Sequence, residues 1–327
     1  MRRRTLLKLI TLGALPVPAA QAREPGKVWR VGFLYGGSRQ SARETGRQPA
    51  FLQGMRALGY SETRDFVLVE RYSADSTQVL ALAKELLSAR PDVIVVSGGI
   101  SLQALQKLGV SVPVVIAVAA DPVRQAVAEN LARPGKNFTG FTAVLGDVFP
   151  KHVQLIKAAL PQISRLAVLS NPRNRDHSAR ERSVTDAAYD AGMRVYPVKV
   201  SAAAELDAAF AEIAQHKAQA LLILGDTFFV QHFREIAQRC IQQRIVSTYS
   251  GREYPELGGF LSYGPNFREH YRGAAKLVDK ILKGANPGEL PFEQPSPFEL
   301  VINRRTAEAI GVPISDQLAL HADKIIE

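Results

Sequence analysis

Cysteine is nearly missing from this sequence: Cys240 is the only one in 327 residues. An internal disulfide is therefore excluded, and so is a metal site built on cysteines. Long apolar runs are missing as well. Past residue 22 no stretch stays apolar for the roughly 20 residues that a membrane-spanning helix requires. Dense runs of one charge are also lacking. The formal net charge is +10, but the cations are scattered along the chain. The nearest cluster, Arg173, Arg175, Arg180 and Arg182, is diluted by Asp176 and Glu181 and reads as a solvated helix start. No stripe tracks phosphates, so nucleic acid is not expected as a partner. Catalytic signatures are absent too: there is no G-x-G-x-x-G, P-loop, H-E-x-x-H or G-x-S-x-G. The histidines (His152, His177, His216, His232, His270 and His321) fall mainly in helical patterns. His177, near Asn171, reads as a solvated helix-start residue. A Ser-His-Asp set assembled from distant segments stays open. The expectation is no catalytic residue, no metal and no cofactor.

The chain begins with Arg2, Arg3, Arg4 and Lys8, then an apolar stretch from Leu9 to Ala20 broken by Pro16 and Pro18. Ala20-Gln21-Ala22 places small residues where a signal peptidase reads them, so residues 1–22 are expected to be an export signal cleaved after Ala22. Arg3-Arg4-Thr5-Leu6-Leu7-Lys8 resembles the twin-arginine motif, and both that route and the Sec route stay open. No cysteine stands near the cleavage site to carry lipid. The location expected is the periplasm. The signal takes four of the ten net positive charges with it, so the remaining 305 residues carry 10 − 4 = +6. That length suits two domains, and 46% hydrophobic with 22% charged residues is the balance of a soluble globular protein.

Beyond the signal, short β-branched runs alternate with amphipathic helical stretches. Strands are predicted at Val28–Tyr35, Phe66–Tyr72, Val93–Val96 and Pro113–Val118, with helices between them. Asn137–Ala143 reads as a crossover strand, after which the pattern restarts. Strands are predicted at Arg165–Ser170, Val195–Val200, Ala220–Leu224 and Ile245–Tyr249, with single helices at Ser178–Ala191, Ala203–His216 and Phe229–Gln243. Phe260–Tyr263 reads as a second crossover, Phe267–Leu282 as a long helix, Phe298–Asn303 as a last strand and the C-terminus as helical. Fully apolar strands imply parallel sheets covered on both faces. The fold class expected is α/β, two doubly wound parallel-sheet lobes joined by a hinge. Residues 23–142 with 262–290 are assigned to one lobe, 143–261 with 291–327 to the other, with hinges near Phe141 and Tyr263.

Open α/β sheets bind ligands where strands end and helices begin. That rule selects a few loops. Tyr35, Gly36, Gly37 and Ser38 follow the first strand. Ser97, Gly98, Gly99, Ile100 and Ser101 follow the third, and their glycines and free N–H groups suit either a carboxylate or a plain helix cap. Asp121, before Pro122, is expected to cap a helix or to hold an ammonium or hydroxyl. In the second half the matching loops carry Asn171 and Asn174, then Asp226, then Tyr249. Asp226 suits an amino group. Tyr35, Phe228, Tyr249 and Tyr263 are candidates to stack on an apolar ligand. The partner expected is a small polar molecule bound by a monomer.

Asp121-Pro122-Val123 followed by Pro134-Gly135-Lys136-Asn137-Phe138-Thr139-Gly140 resembles the "DPV…PGGNVTG" signature of a family of ABC-transporter substrate-binding proteins, the tryptophan- and tyrosine-type binders. Leu155-Ile156-Lys157, Leu169-Ser170-Asn171-Pro172, Lys280-Ile281-Leu282-Lys283-Gly284, Phe298-Glu299-Leu300-Val301-Ile302-Asn303 and the C-terminal Ala322–Glu327 fit the same family, so the likeness covers nearly all of the chain past the signal. The resemblance implies a periplasmic-binding-protein-like type I fold, a hinged binder that delivers its ligand to an ABC permease, and an amino acid, aromatic by preference, as that ligand. It places Ser97, Asp121, Thr142, Asn171, Asn174 and Asp226 near the ligand. Gly98-Gly99-Ile100 departs from the Thr-Pro-Ala-type loop of many members. The alternative reading is a periplasmic sensor that presents its ligand to a membrane receptor.

Overall fold

The computed structural model describes residues 26–73, 75–119, 121–142, 148–294 and 297–327. The expected export signal lies outside the described residues.

The first sheet is formed by β1 (Trp29–Tyr35), β2 (Phe66–Tyr72), β3 (Val93–Ser97), β4 (Val114–Ala119) and β5 (Phe138–Thr142), in the order β2-β1-β3-β4-β5, all parallel. Around it run α1 (Arg39–Glu44), α2 (Arg47–Ala57), α3 (Val79–Ser88) and α4 (Gly99–Lys107). The second sheet starts with β6 (Arg165–Ser170), β7 (Arg194–Lys199), β8 (Ala220–Ile223), β9 (Val246–Tyr249) and β10 (Leu261–Gly264). Its helices are α5 (Val148–Ala159), α6 (His177–Asp190), α7 (Leu206–Gln215), α8 (Thr227–Gln231), α9 (Phe233–Gln242) and α10 (Glu253–Glu256). The five strands lie parallel in the order β7-β6-β8-β9-β10. Each lobe therefore repeats one winding, 2-1-3-4-5. In each, the order reverses beside the lobe's first strand, which places one crevice between β1 and β3 and another between β6 and β8.

The central strands are closed to solvent on both faces, as their unbroken apolar runs require: Val93–Ser97 is buried at every position. Each sheet has an apolar core on either side, giving four in all. β7, at an edge, is largely open to solvent, with only Val198 buried.

After β10 the chain returns to the first lobe as α11 (Phe267–Leu282), which packs along α2 and over β4. Leu261–Gly264 itself pairs with β9, so the chain changes lobes just past it rather than within it. Residues beyond α11 run beside β5, where Thr142 N–H donates to Glu293 O at 3.0 Å and Glu293 N–H donates to Gly140 O at 2.9 Å. The chain then re-enters the second lobe as β11 (Glu299–Asn303), antiparallel to β10, followed by α12 (Arg304–Ile310), α13 (Asp316–Leu320) and β12 (Lys324–Ile326).

Several local expectations are corrected. The C-terminus ends as a strand, not a helix, because Ile325 finds Ile302 as a parallel neighbour on β11. The helix predicted over Phe229–Gln243 is two helices, broken at His232, whose φ of −104° ends α8 and precedes α9. Asp121 caps a turn, not a helix: its Oδ1 accepts from Val123 N at 3.1 Å and Arg124 N at 3.0 Å, and no helix forms before β5.

Candidate functional site

The two crevices face each other, and the lobes are drawn together over them. Ser38 N–H donates to Gln231 Oε1 at 3.1 Å, Gln125 Nε2 to Asp176 Oδ2 at 2.7 Å, and Arg173 Nη1 to Ser76 Oγ at 2.8 Å. Arg234 meets Glu44 at 3.3 Å. Deepest is Arg47 of α2, whose Nε donates to Glu253 Oε1 of α10 at 3.0 Å; the two side chains are 4% and 0% exposed.

Between the lobes lies a cavity of about 50 Å³ measured at the centres of water-sized spheres. One water needs roughly 10–15 Å³ by that measure, so several waters or one small solute fit. From the first lobe it is lined by Arg47, Ser97, Gly98, Gly99, Val118 and Phe267. From the second come Asn174, Asp176 and Arg180, then Gly225, Asp226 and Thr227, then Tyr249 and Ser250. The lining thus gathers the loops after β3, β8 and β9 and the start of α6. Gly98 has φ +85° and no side chain to cap α4, so the first N–H groups of that helix are left to whatever occupies the cavity.

The second-lobe wall is internally hydrogen-bonded. Asp226 Oδ2 accepts from Asn174 Nδ2 at 2.7 Å, and Oδ1 accepts from Phe228 N at 2.8 Å and Asn171 Nδ2 at 3.4 Å. His177 was expected to be solvated; it is 2% exposed. Its Nδ1 accepts from Asn171 N–H at 2.8 Å and its Nε2 faces Gly225 O at 3.1 Å, which fixes a neutral ring with the proton on Nε2. Burial lowers its pKa, and the nearby Asp226 only partly opposes that. Arg180 Nη1 donates to the same carbonyl at 3.1 Å.

The first-lobe wall is different. Behind its lining, the hydroxyls of Tyr35, Tyr271 and Ser101 are buried without a well-formed hydrogen bond, with Ser41 and Arg47 near that of Tyr35 and Ser97 near that of Tyr271. Burial raises the pKa of Tyr35 and Tyr271 despite the nearby Arg47. Burial also opposes the charge on Arg47, but the Glu253 carboxylate beside it outweighs that and keeps the guanidinium protonated.

Of the residues expected to bind, Ser97, Gly98, Asn174, Asp226 and Tyr249 line the cavity together. Tyr35, Gly37, Ser101 and Asn171 stand behind that lining: Gly37 lies against the Tyr35 ring, Ser101 Oγ is close to Gly36, and Asn171 holds Asp226. Asp121 and Thr142 lie outside it, Thr142 fully buried with its N–H on Glu293. Phe228 packs edge-on against Phe229, and Tyr263 against Phe298, not in the cavity. Arg47, Arg180, Glu253 and Phe267 were not anticipated; in the sequence they look like ordinary helix residues. Among the described residues no group of three or more His, Cys, Asp and Glu could hold a metal ion.

Two facing α/β lobes with a polar cavity at their joint crevice are the architecture of a solute-binding protein. The family model described as "ABC transporter substrate binding protein" matches residues 41–326, and the chain belongs to that family. The chain is similar to a tyrosine-binding protein of Clostridioides difficile (strain R20291), 22% identical over 277 residues that make up 84% of this chain and 78% of that protein. In structure it resembles a conserved domain protein from Vibrio cholerae, with a TM-score of 0.83 and 24% identity over 91% of this chain and 100% of that one. It also resembles an ABC domain from Streptococcus pneumonia in complex with L-Trp, with a TM-score of 0.81 and 21% identity over 92% of this chain and 100% of that one. The type I periplasmic-binding-protein-like fold and the substrate-binding role expected from the sequence are thereby shown. No helix among the described residues is long and apolar enough to cross a membrane.

Proposed function

We propose that this protein captures a free amino acid outside the cytoplasm, closes its two lobes around it and delivers it unchanged to an ABC permease. The export signal over residues 1–22 directs it there, and it acts as a monomer. The observation that carries this reading is the cavity: it is shared by both lobes and lined by polar groups from each, Arg47, Ser97 and the start of α4 from one and Asn174, Asp226 and Tyr249 from the other. In the open protein those groups face water. On closure the ligand replaces the water, so the closed state gains contacts the open state lacks and its population rises. The hinges lie near Phe141 and Tyr263. Tyr249, Phe267 and Val118 supply an apolar side to the cavity, which suits an aromatic side chain, as do the tyrosine and L-Trp in the names of the two relatives. The test is a thermal-shift screen of the purified protein over the common L-amino acids, followed by small-angle scattering. A hit should raise the melting temperature and shrink the scattering envelope. Native mass spectrometry that recovers a bound sugar or metal instead would overturn the amino-acid reading, and a bound metabolite released chemically altered would overturn the carrier reading.

A further inference from the structure

The loops that face each other across the crevice fit closely, and three glycines of the first lobe make the fit. Gly36 follows β1, and Gly98 and Gly99 follow β3, so all three border the place where the strand order reverses. None could carry a side chain without meeting the second lobe. A Cβ at Gly36 would stand 2.9 Å from Thr227 Oγ1, one at Gly98 3.1 Å from Thr227 Cγ2, and one at Gly99 3.2 Å from Asn174 Oδ1. Thr227 and Asn174 are held firmly where they meet these glycines. Asp226 caps the helix that Thr227 begins, accepting from Phe228 N–H at 2.8 Å, and its other oxygen accepts from Asn174 Nδ2 at 2.7 Å. Ser101 completes the notch. It is 1% exposed, its hydroxyl lacks a well-formed hydrogen bond, and its Oγ lies 3.0 Å from the Cβ position at Gly36.

Thr227 also stands at a boundary. It lines the inner cavity together with Gly98, Gly99 and Asn174. The next residue, Phe228, lines an outer cleft with Gln231 and His232 of the same lobe and Ser38 and Asp75 of the other, about 420 Å³ by the same measure. The outer cleft is therefore several times larger than the inner cavity, and both lie between the lobes. Ser38 is two residues past Gly36, so the notch that seats Thr227 separates the two spaces. A side chain in contact distance of both glycines leaves no room for a solute to pass.

We propose that Thr227, seated in the notch of Gly36 and Gly98, is a specificity-determining residue of this protein: it is the end wall of the ligand cavity and sets how long a solute the closed lobes can hold. The assignment rests on the amino-acid function proposed above and deepens it. Wall and notch belong to different lobes, so the wall exists only when the lobes are closed. An amino acid that ends short of Thr227 lets it seat. The same amino acid lengthened toward the outer cleft keeps Thr227 out of the notch, and the lobes stay apart.

Two cysteines test the seat without any ligand. The Cβ position at Gly36 is 3.9 Å from Thr227 Cβ, within the roughly 3.5–4.5 Å that a disulfide spans. In purified protein carrying Gly36→Cys and Thr227→Cys, mild oxidation should consume both introduced thiols and leave Cys240, which is 1% exposed. The cross-linked protein should take up neither L-tyrosine nor L-tryptophan until it is reduced. Introduced thiols that stay free would overturn the assignment. Calorimetry with the same two amino acids tests the wall. The tighter of them is compared with three lengthened forms: N-glycyl, C-terminally glycyl and ring-methoxy. In Thr227→Ala at least one lengthened form should gain about tenfold or more relative to its parent. Gly36→Ala, whose Cβ fills the notch, should weaken the parent about tenfold, and adding Thr227→Ala should restore most of that loss. If the circular dichroism of Gly36→Ala departs from wild type, Thr227→Leu replaces it, overfilling the notch from the other side with the same expected loss. Lengthened forms that gain nothing in Thr227→Ala, or an overfilled notch that binds as wild type does, overturn the assignment and leave the amino-acid function standing. If no amino acid binds in any form, function and assignment fall together.

Discussion

The two walls of the cavity are built to opposite plans. On the second lobe, Asp226, Asn171, Asn174 and His177 answer one another's hydrogen-bonding needs, and the wall is complete before any ligand arrives. On the first lobe, Tyr35, Tyr271 and Ser101 hold buried hydroxyls without a well-formed hydrogen bond, with Ser41, Arg47 and Ser97 only loosely placed beside the two tyrosines. A satisfied polar network rigidifies its lobe, whereas an unsatisfied one draws in a partner. The second lobe reads as the platform and the first as the side whose polar groups the ligand completes.

Acidification is expected to have the largest effect, and it strikes both lobes. The first lobe contains a buried, uncharged histidine, His270 in α11, and the second contains two, His152 in α5 and His177 in α6; burial pushes His152 and His270 down to about 4 and lowers His177 as well. An unfolded histidine titrates near 6.5, so between about 6.5 and 4 the unfolded chain binds more protons than the folded one. Stability is therefore full above about pH 6.5 and falls as pH drops toward 4, by up to about 3 kcal/mol for each histidine. Chemical denaturation across that range measures it. His152→Gln should remove the part of the loss that His152 carries and leave the parts of His177 and His270; equal slopes in the variant and the wild type would show that His152 carries none of it.

Next in size is Asp226→Ala. It strips Asn174, Asn171 and the Phe228 N–H of their common acceptor, and should cost about 3 kcal/mol in the unliganded protein. Asn174→Ala removes one of these bonds and should cost about 1 kcal/mol. The smallest effect separates the walls most sharply. Tyr35→Phe deletes a hydroxyl that lacks a well-formed hydrogen bond, so unliganded stability should stay within about 1 kcal/mol of wild type or rise. If Tyr35→Phe destabilised the free protein as much as Asp226→Ala does, the contrast between platform and incomplete wall would be lost.

Much of the platform could be read along the chain. Asn171, Asn174 and Asp226 follow strands whose apolar runs announce themselves, and a residue placed just after a parallel strand is near the crevice by construction. Ser97 and Gly98 were found on the same ground. His177 was misjudged because a polar residue at a helix start is ordinarily solvated; only the packing of α6 against the Gly225 loop buries it. Asp121 and Thr142 also follow strands, but they stand on β4 and β5, away from the place between β1 and β3 where the strand order reverses. Sequence shows that a strand ends; it does not show which neighbours that strand takes in the sheet.

By itself, the alternation of apolar runs and amphipathic stretches settled that the chain winds two α/β lobes, because burial on both faces of a parallel sheet leaves no other pattern. The ordered motifs pointed to the family that the family model over residues 41–326 shows. Only the tertiary structure decided what stands at the centre of the site. Arg47 and Glu253 are 206 residues apart, each on a helix where a charged side chain looks like solvent-facing decoration. They become a buried pair because two lobes close on one another, and contact between lobes leaves no local periodicity for a sequence to record.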